Sequence, residues 1–287
     1  MKGVCVGEKY SVVMAVYHKE NPEHLALAIE SILNQTIQPH EFIIVQDGLL
    51  TLELDRIINF YENENSFIRV IKLEKNQGPG GARNVGIKNS TSELIAIMDS
   101  DDISINNRCE KQLNTFRQFE NLAILGGMID IFYDNPDSIV ESRVVPLEND
   151  EIKKFMKRRS AFNNVTVMFL KNAFLAVGGY DLQTRAEDYI LFSKMINSGY
   201  LGKNINETLV LVRGGEFNFK KRKSWQHCKE EIMARYKLLT IKNIGLKDFL
   251  ITSAAFLAIF IMPMFLLKIL NQRVLRKNAT QTSEAKI

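Results

Sequence analysis

The sequence predicts an α/β fold with a Rossmann-like, mostly parallel central sheet flanked by helices. Four mostly apolar, β-branched runs, at residues 11–16, 41–46, 68–73 and 94–98, punctuate the first part of the chain, and helical periodicity fills the gaps between them. Each run suits a strand covered on both faces. The polar clusters fall directly after the runs, where open parallel sheets bind ligands at the carboxyl ends of their strands.

The elements follow in order. Asn21-Pro22-Glu23 supplies an N-cap, a proline at the first helical position and an early acid, and Leu25, Ala28, Ile29, Ile32 and Leu33 continue at helical spacing. Leu54, Ile57, Ile58 and Tyr61 repeat that spacing before the third strand, and residues 82–88 make a shorter helix before the fourth. The order is β-α-β-α-β-α-β. Beyond about residue 120 the pattern loosens into strands at 124–133, 165–170 and 209–213 and helices near 150–158, 171–177 and 187–198. This half extends the same sheet, so residues 1–215 form one domain with halves at about 1–105 and 106–215. Residues 216–287 form a basic, apolar helical tail.

Composition supports that division. The 287 residues carry a net charge of +4, with 46% hydrophobic and 24% charged residues, which is ordinary globular usage and excludes disorder. The average conceals an uneven chain. Residues 217–247 hold nine Lys/Arg against two Glu, whereas the 19 residues 249–267 carry no charge. Cys5, Cys109 and Cys228 are odd in number and far apart, which indicates neither a disulfide framework nor a zinc site. Glu8 and Lys9 interrupt the first apolar stretch, so a signal peptide is not expected and the body should stay in the cytosol.

Three clusters carry the chemistry. Asp99-Ser100-Asp101-Asp102 packs three carboxylates into four positions at a strand end. Like charges this close raise one another's pKa unless a cation compensates, and a hard divalent ion bridging to a phosphate would do so. The competing reading is a polar turn in which Asp102 caps the next helix. The stretch 76–84, Asn-Gln-Gly-Pro-Gly-Gly-Ala-Arg-Asn, opens a helix with glycines that admit close backbone approach, with Gly78 at its start and Arg83 able to fork onto phosphate. It matches neither a dinucleotide fingerprint nor a Walker loop. Glu187-Asp188 opens a third helix, as dipole complementation when read alone and as a general base beside the other two clusters. Gly178-Gly179-Tyr180-Asp181 just before it reads as a turn with a packed tyrosine or as a stacking platform for sugar. His18, His24 and His40 read as surface or loop residues. His227, near Trp225 in the basic segment, is a weak candidate for a late metal or phosphate contact.

Taken in order, residues 11–17, 28–36, 42–48, 76–84, 99–102, 178–181 and Glu187-Asp188 resemble family 2 glycosyltransferases of the GT-A fold, over roughly residues 10–215. Residues 17–23, Asp47-Gly48 and 98–104 look like the bacterial enzymes that build O-antigen, capsule or exopolysaccharide repeat units. The resemblance implies that Ala15 and Asp47 contact a nucleoside, with Asp47 accepting from uracil, and that Tyr17, Gly78, Arg83, Asp99 and Ser100 complete a UDP-sugar site. It further implies Asp101 and Asp99 as ligands of Mn²⁺ or Mg²⁺, Gly179, Tyr180 and Glu187 on the acceptor side, and Asp188 as base of an inverting transfer. Where many members have Asp-Gly-Ser, this chain has Asp47-Gly48-Leu49, which removes a hydroxyl contact. The implied reaction moves glucose or galactose from UDP to N-acetylhexosamine-diphospho-undecaprenol through a β-1,3 bond, with no nucleic-acid partner.

Residues 249–267 are just long enough at 1.5 Å per residue to cross a core of about 30 Å. Lys and Arg on both sides and Pro263 favour an in-plane or re-entrant helix over a single span, with a buried soluble helix as the third reading. Basic residues beside it suit anionic lipids, which implies the cytoplasmic face of a bacterial inner membrane. Two competing readings are extension of another polysaccharide or glycolipid and a non-catalytic nucleotide-sugar-binding membrane scaffold.

Overall fold

A computed structural model describes residues 9–182, 186–214 and 224–263. The expected alternation is present: β1 (Tyr10–Val16), α1 (Pro22–Leu33), β2 (Glu41–Gln46), α2 (Leu52–Glu64), β3 (Ile68–Lys72), α3 (Gly78–Asn89) and β4 (Leu94–Asp99). These four strands pair in parallel in the order β3-β2-β1-β4. Asn21 caps α1 as its sequence implies, with Oδ1 accepting from the Glu23 N–H at 2.8 Å and the His24 N–H at 3.3 Å.

The second half continues as β5 (Ile103–Ser104), α4 (Arg108–Gln118), β6 (Leu122–Phe132), β7 (Ile139–Arg143), α5 (Asn149–Phe155), β8 (Met168–Leu170), α6 (Lys171–Ala176), α7 (Glu187–Asn197) and β9 (Leu201–Arg213). The single sheet runs β3-β2-β1-β4-β8-β6-β9-β5, with β7 on β6. It is mixed from β4 onward. β8 is antiparallel to both β4 and β6, whereas β6 and β9 are parallel. Two apolar layers cover its faces, one including α1, α2 and α4 and the other including α3, α6 and α7.

Helix α4 has no clear periodic signal in the sequence because two of its buried positions are polar. Its inward face is Arg108, Cys109, Gln112, Leu113 and Phe116. The β4–β8 ladder ends at Ala96↔Met168, and Arg108 fills the divergence beyond it. Arg108 Nη2 donates to the Ile97 carbonyl at 2.9 Å and Nε donates to Gln112 Oε1 at 3.2 Å. Gln112 Nε2 in turn donates to the carbonyls of Thr166 at 2.8 Å and Leu125 at 3.2 Å. Buried carbonyls that the ladder leaves open are thus met by side chains.

The described part of the tail is a helical hairpin of α8 (Trp225–Thr240) and α9 (Leu246–Ile261). Trp225 meets Phe260 at 5.4 Å between ring centroids and Tyr236 meets Phe249 at 6.3 Å, which sets the helices antiparallel. Ala234, Leu238 and Ile244 enter the same buried cluster as Tyr189 and Ile190 of α7, and Lys237 pairs with Asp181. Among the described residues no helix is long and apolar enough to cross a membrane. The part of the uncharged stretch beyond Pro263 lies outside the described residues.

Replacing Arg108 with Ala would strip the Ile97 carbonyl and Gln112 Oε1 of their Arg108 donors and open a cavity beneath the end of β4. The expected cost is about 3 kcal/mol of unfolding free energy, measured as a lower urea midpoint with an unchanged m-value.

Candidate active site

Parallel register places the ends of three strands together. Ala15 of β1 stands opposite Val45 of β2 on one side and Asp99 of β4 on the other. Just beyond β2, Asp47 is buried, and its Oδ1 accepts from the Gln77 N–H at 2.6 Å. Asn76 Nδ2 donates to the Asp47 carbonyl at 3.1 Å, so the glycine-rich loop is fastened to the end of β2. Gly48 between them has φ +85°, and a Cβ there would lie 3.0 Å from the Asn76 nitrogen. Burial raises the Asp47 pKa, while the backbone amides of Gln77 and Gly78 pull it down. Leu49, in the place of the absent serine, is 88% exposed.

Arg83, on the inward face of α3, unites the three sequence clusters. Its Nη2 donates to Asp99 Oδ1 at 2.5 Å, its Nη1 lies 3.9 Å from Glu187 Oε1, and its guanidinium stands 5.7 Å from the centroid of the Tyr180 ring. Burial alone would weaken its charge, but Asp99, Tyr180 and Glu187 more than restore it, and the net shift is upward. The guanidinium is therefore engaged within the protein by Asp99 and Glu187.

The loop after β4 is tied on both sides. Ser100 Oγ donates to Glu20 Oε2, joining it to the loop after β1. Asp102 does not cap a helix: Asn107 precedes α4, and Asp102 Oδ1 accepts from the Arg213 N–H at 2.8 Å. Arg213 Nε also donates to the Asp101 carbonyl at 3.3 Å, so the last residue of β9 fastens the acidic loop. Burial, then Asp99 and Asp101, push the Asp102 pKa well up. Asp101 is pushed up to about 6 by burial and by the charges of Asp99 and Glu20.

This donor set bears on a divalent cation. Among the described residues, the Asp101 carboxylate takes no hydrogen bond from another residue, and Asp99 and Glu20 add negative charge around this hard oxygen donor on top of the larger effect of burial. No group of three or more His, Cys, Asp or Glu side chains there is arranged to hold a metal. The residues thus fit a Mg²⁺-type ion that relies on one or two carboxylates and completes its shell with phosphate and water, and they do not fit an all-protein cage.

The opposite wall is the start of α7. Asp188 Oδ1 accepts from the Tyr189 N–H at 2.7 Å, and burial raises the Asp188 pKa. Glu187 is pushed up to about 7, chiefly by burial, with Asp188 adding and Arg83 opposing. A Cβ on Gly80 would lie 3.2 Å from both Glu187 Cγ and Tyr180 Cβ, so α3 can approach this wall because the position is glycine.

Asn84 locks the turn before α7. Its Nδ2 donates to the Tyr180 carbonyl and its Oδ1 accepts from the Tyr180 N–H, both at 2.9 Å. Gly179, at φ +72°, sits so close that a Cβ would be 2.7 Å from Asn84 Oδ1. Tyr180 is buried and its hydroxyl donates to Asn164 Oδ1 at 3.0 Å, so its ring props Arg83 and offers no open face for stacking. Tyr17 is 43% exposed at the rim. His227 lies apart from this arrangement, in the first turn of α8 with its ring edge toward Phe256 at 6.5 Å.

Sequence reasoning missed Glu20, Asn164 and Arg213. Glu20 lies within the stretch 17–23 just past the first strand, and a carboxylate at a strand's carboxyl end was its available signal. Asn164 and Arg213 had none, because each acts on a residue brought near only by the sheet.

The chain matches the family model described as glycosyl transferase family 2 over residues 11–180. The chain belongs to glycosyltransferase family 2. Among its relatives, this glycosyltransferase is 34% identical to the Escherichia coli UDP-Gal:alpha-D-GlcNAc-diphosphoundecaprenol beta-1,3-galactosyltransferase, over 94% of this chain and 97% of that protein. It is 30% identical to the amylovoran biosynthesis glycosyltransferase AmsE of Erwinia amylovora, over 82% of this chain and 88% of that one. The mannosyltransferase PcManGT from Pyrobaculum calidifontis, solved with GDP-Man and Mn²⁺, shares the fold with a TM-score of 0.63 at 12% identity, covering 93% of this chain and 80% of that one. The GT-A-like architecture of this glycosyltransferase agrees with the expected fold.

The raised pKa of Glu187 carries a stability consequence. Its folded value lies above the ordinary glutamate value, so stability is fully present at low pH and is lost as pH rises from about 4.5 toward 7. Glu187→Gln should therefore raise the thermal midpoint at pH 8 and leave it nearly unchanged at pH 4.5, as read by differential scanning calorimetry.

Proposed function

We propose that this glycosyltransferase is a UDP-sugar-dependent, inverting hexosyltransferase that moves glucose or galactose onto N-acetylhexosamine-diphospho-undecaprenol through a β-1,3 bond. The reaction would serve bacterial surface polysaccharide synthesis at the cytoplasmic face of the inner membrane. One observation carries the reading: Arg83 gathers Asp99 of the acidic loop and Glu187 of α7 into one cleft at the ends of β1, β2 and β4. The two bacterial relatives supply the acceptor class and the polysaccharide context.

The residues divide the work. Asp47, anchored to the glycine-rich loop through its Oδ1, would accept from a uracil N–H. Ala15, with its small side chain, leaves space for the nucleoside between Asp47 and Asp99. Asp101 and Asp99 would hold Mn²⁺ or Mg²⁺, which supplies charge neutralisation for the departing diphosphate. Asp188 takes the proton from an acceptor hydroxyl. That oxygen bonds the anomeric carbon from the face opposite the leaving group, and the carbon–oxygen bond to UDP breaks with its electron pair leaving on the phosphate. The configuration inverts.

Asp188→Asn should reduce turnover by at least a thousandfold while leaving UDP affinity within about threefold, as measured by calorimetric titration; near wild-type turnover would refute the base assignment. In the wild type, the acid limb of kcat/KM should lie above the ordinary aspartate range, because burial raises the Asp188 pKa and the base works only when ionised.

Purified protein incubated with Mn²⁺, radiolabelled UDP-glucose, UDP-galactose or GDP-mannose, and an N-acetylhexosamine-diphospho-lipid should give product with a UDP-hexose. Product with GDP-mannose alone would overturn the donor, and no product with any donor would overturn the reading.

A further inference from the structure

Away from the cleft, α5 ends in a concentrated positive charge. Lys153 and Lys154 occupy its last turn, and Lys157, Arg158 and Arg159 follow directly, all five exposed. Ile152 and Met156 are buried between them and fix the turn, so the cations stay on the surface. Lys154, Phe155, Lys157, Arg158, Arg159 and Asp248 line a concavity of about 340 Å³. The single carboxylate there is engaged, since Arg158 Nε donates to Asp248 Oδ1 at 3.1 Å. Among the described residues the other three cations of the lining have no such carboxylate, and Arg159 lies 5.2 Å from the centroid of the Phe155 ring.

That ion pair joins the basic concavity to the first turn of α9, whose outward half is apolar. Leu246, Leu250, Ile251, Leu257 and Ile261 are all at least 38% exposed, with exposed alanines between them and Lys247 the only charge on that arc. At 100° per residue these positions share one half of the helix, and Asp248 sits at its edge. The inward half is occupied by contacts with α8, including the Phe260 and Phe249 ring pairs.

We infer that the α5 concavity and the exposed half of α9 form one docking surface for an anionic lipid bilayer, with headgroup phosphates in the concavity and α9 lying in the interfacial plane. The inference deepens the membrane placement proposed above and is independent of which sugar is transferred. Charge decides the occupant. A second copy seated on this face would bring its own five cations into the same region, and residues 264–287 carry Lys268, Arg273, Arg276, Lys277 and Lys286 against a single Glu284. Both would be repelled where an anionic surface is attracted. The apolar arc beside it then supplies the insertion energy that exposed leucines and isoleucines cannot gain in water.

Flotation of the full chain with phosphatidylcholine vesicles, with and without phosphatidylglycerol, tests this. Wild type should bind the anionic vesicles at least tenfold more tightly. A Lys154→Gln, Lys157→Gln, Arg159→Gln variant, which keeps the Arg158 pair, should lose that preference with an unchanged circular dichroism spectrum. Leu250→Asn with Leu257→Asn should lose binding to both vesicle types. If the triple variant binds like wild type, the concavity is not the headgroup site although the membrane placement stands. If wild type binds neither vesicle, the membrane placement itself fails. Concentration-dependent dimerisation abolished by the α9 variant, without vesicle binding, would make a second copy the occupant.

Discussion

Arg83 brings a full positive charge into a pocket where Asp99, Tyr180 and Glu187 converge from three separate elements, and the rest of the site is arranged around keeping that charge compensated. A buried guanidinium is stable only when its hydrogen bonds and opposite charges are supplied. Asp99 supplies the short bond and Glu187 the longer-range partner. Gly80 lets α3 approach closely enough for this to happen, and Asn84, the residue after Arg83, clamps the turn that carries Tyr180. Arg83 therefore ties the acidic loop after β4 to the start of α7.

The carboxylates are held in a state that costs stability. Asp101, Asp102, Glu187 and Asp188 all have raised pKa values, with burial as the first cause in each. Desolvated carboxylates concentrated in this way are characteristic of functional sites. The strand ladders and the side-chain bridges of Arg108 and Gln112 offset it elsewhere, by satisfying the backbone where β4 and β8 part.

Much of the first half was legible because each element there obeys a local rule. Asn21 caps α1, and the apolar spacing of α1 and α2 matches their buried faces. The second half was harder to read. Helix α4 buries Arg108 and Gln112, so its inward stripe reads as polar, and β9 begins at Leu201, earlier than expected, because its first residues alternate buried Gly202 and Asn204 with exposed or half-exposed neighbours. The tail reads as basic and apolar, yet α8 packs into the core of the catalytic body through Ala234 and Leu238.

By itself the sequence determined the alternating strands and helices, the acidic loop at the end of β4, the glycine-rich start of α3 and the carboxylate pair opening α7, since each is a short-range pattern written in neighbouring residues. Only the tertiary structure decided what these clusters do to one another. It turned Arg83 inward onto Asp99 and Glu187, assigned Asp102 to the backbone of Arg213 instead of a helix cap, and buried Tyr180 as a prop. The physical reason is separation along the chain: Arg213 and Asp102, or Asn84 and Tyr180, meet through sheet order and helix packing, and no local periodicity encodes which buried charge will find which partner.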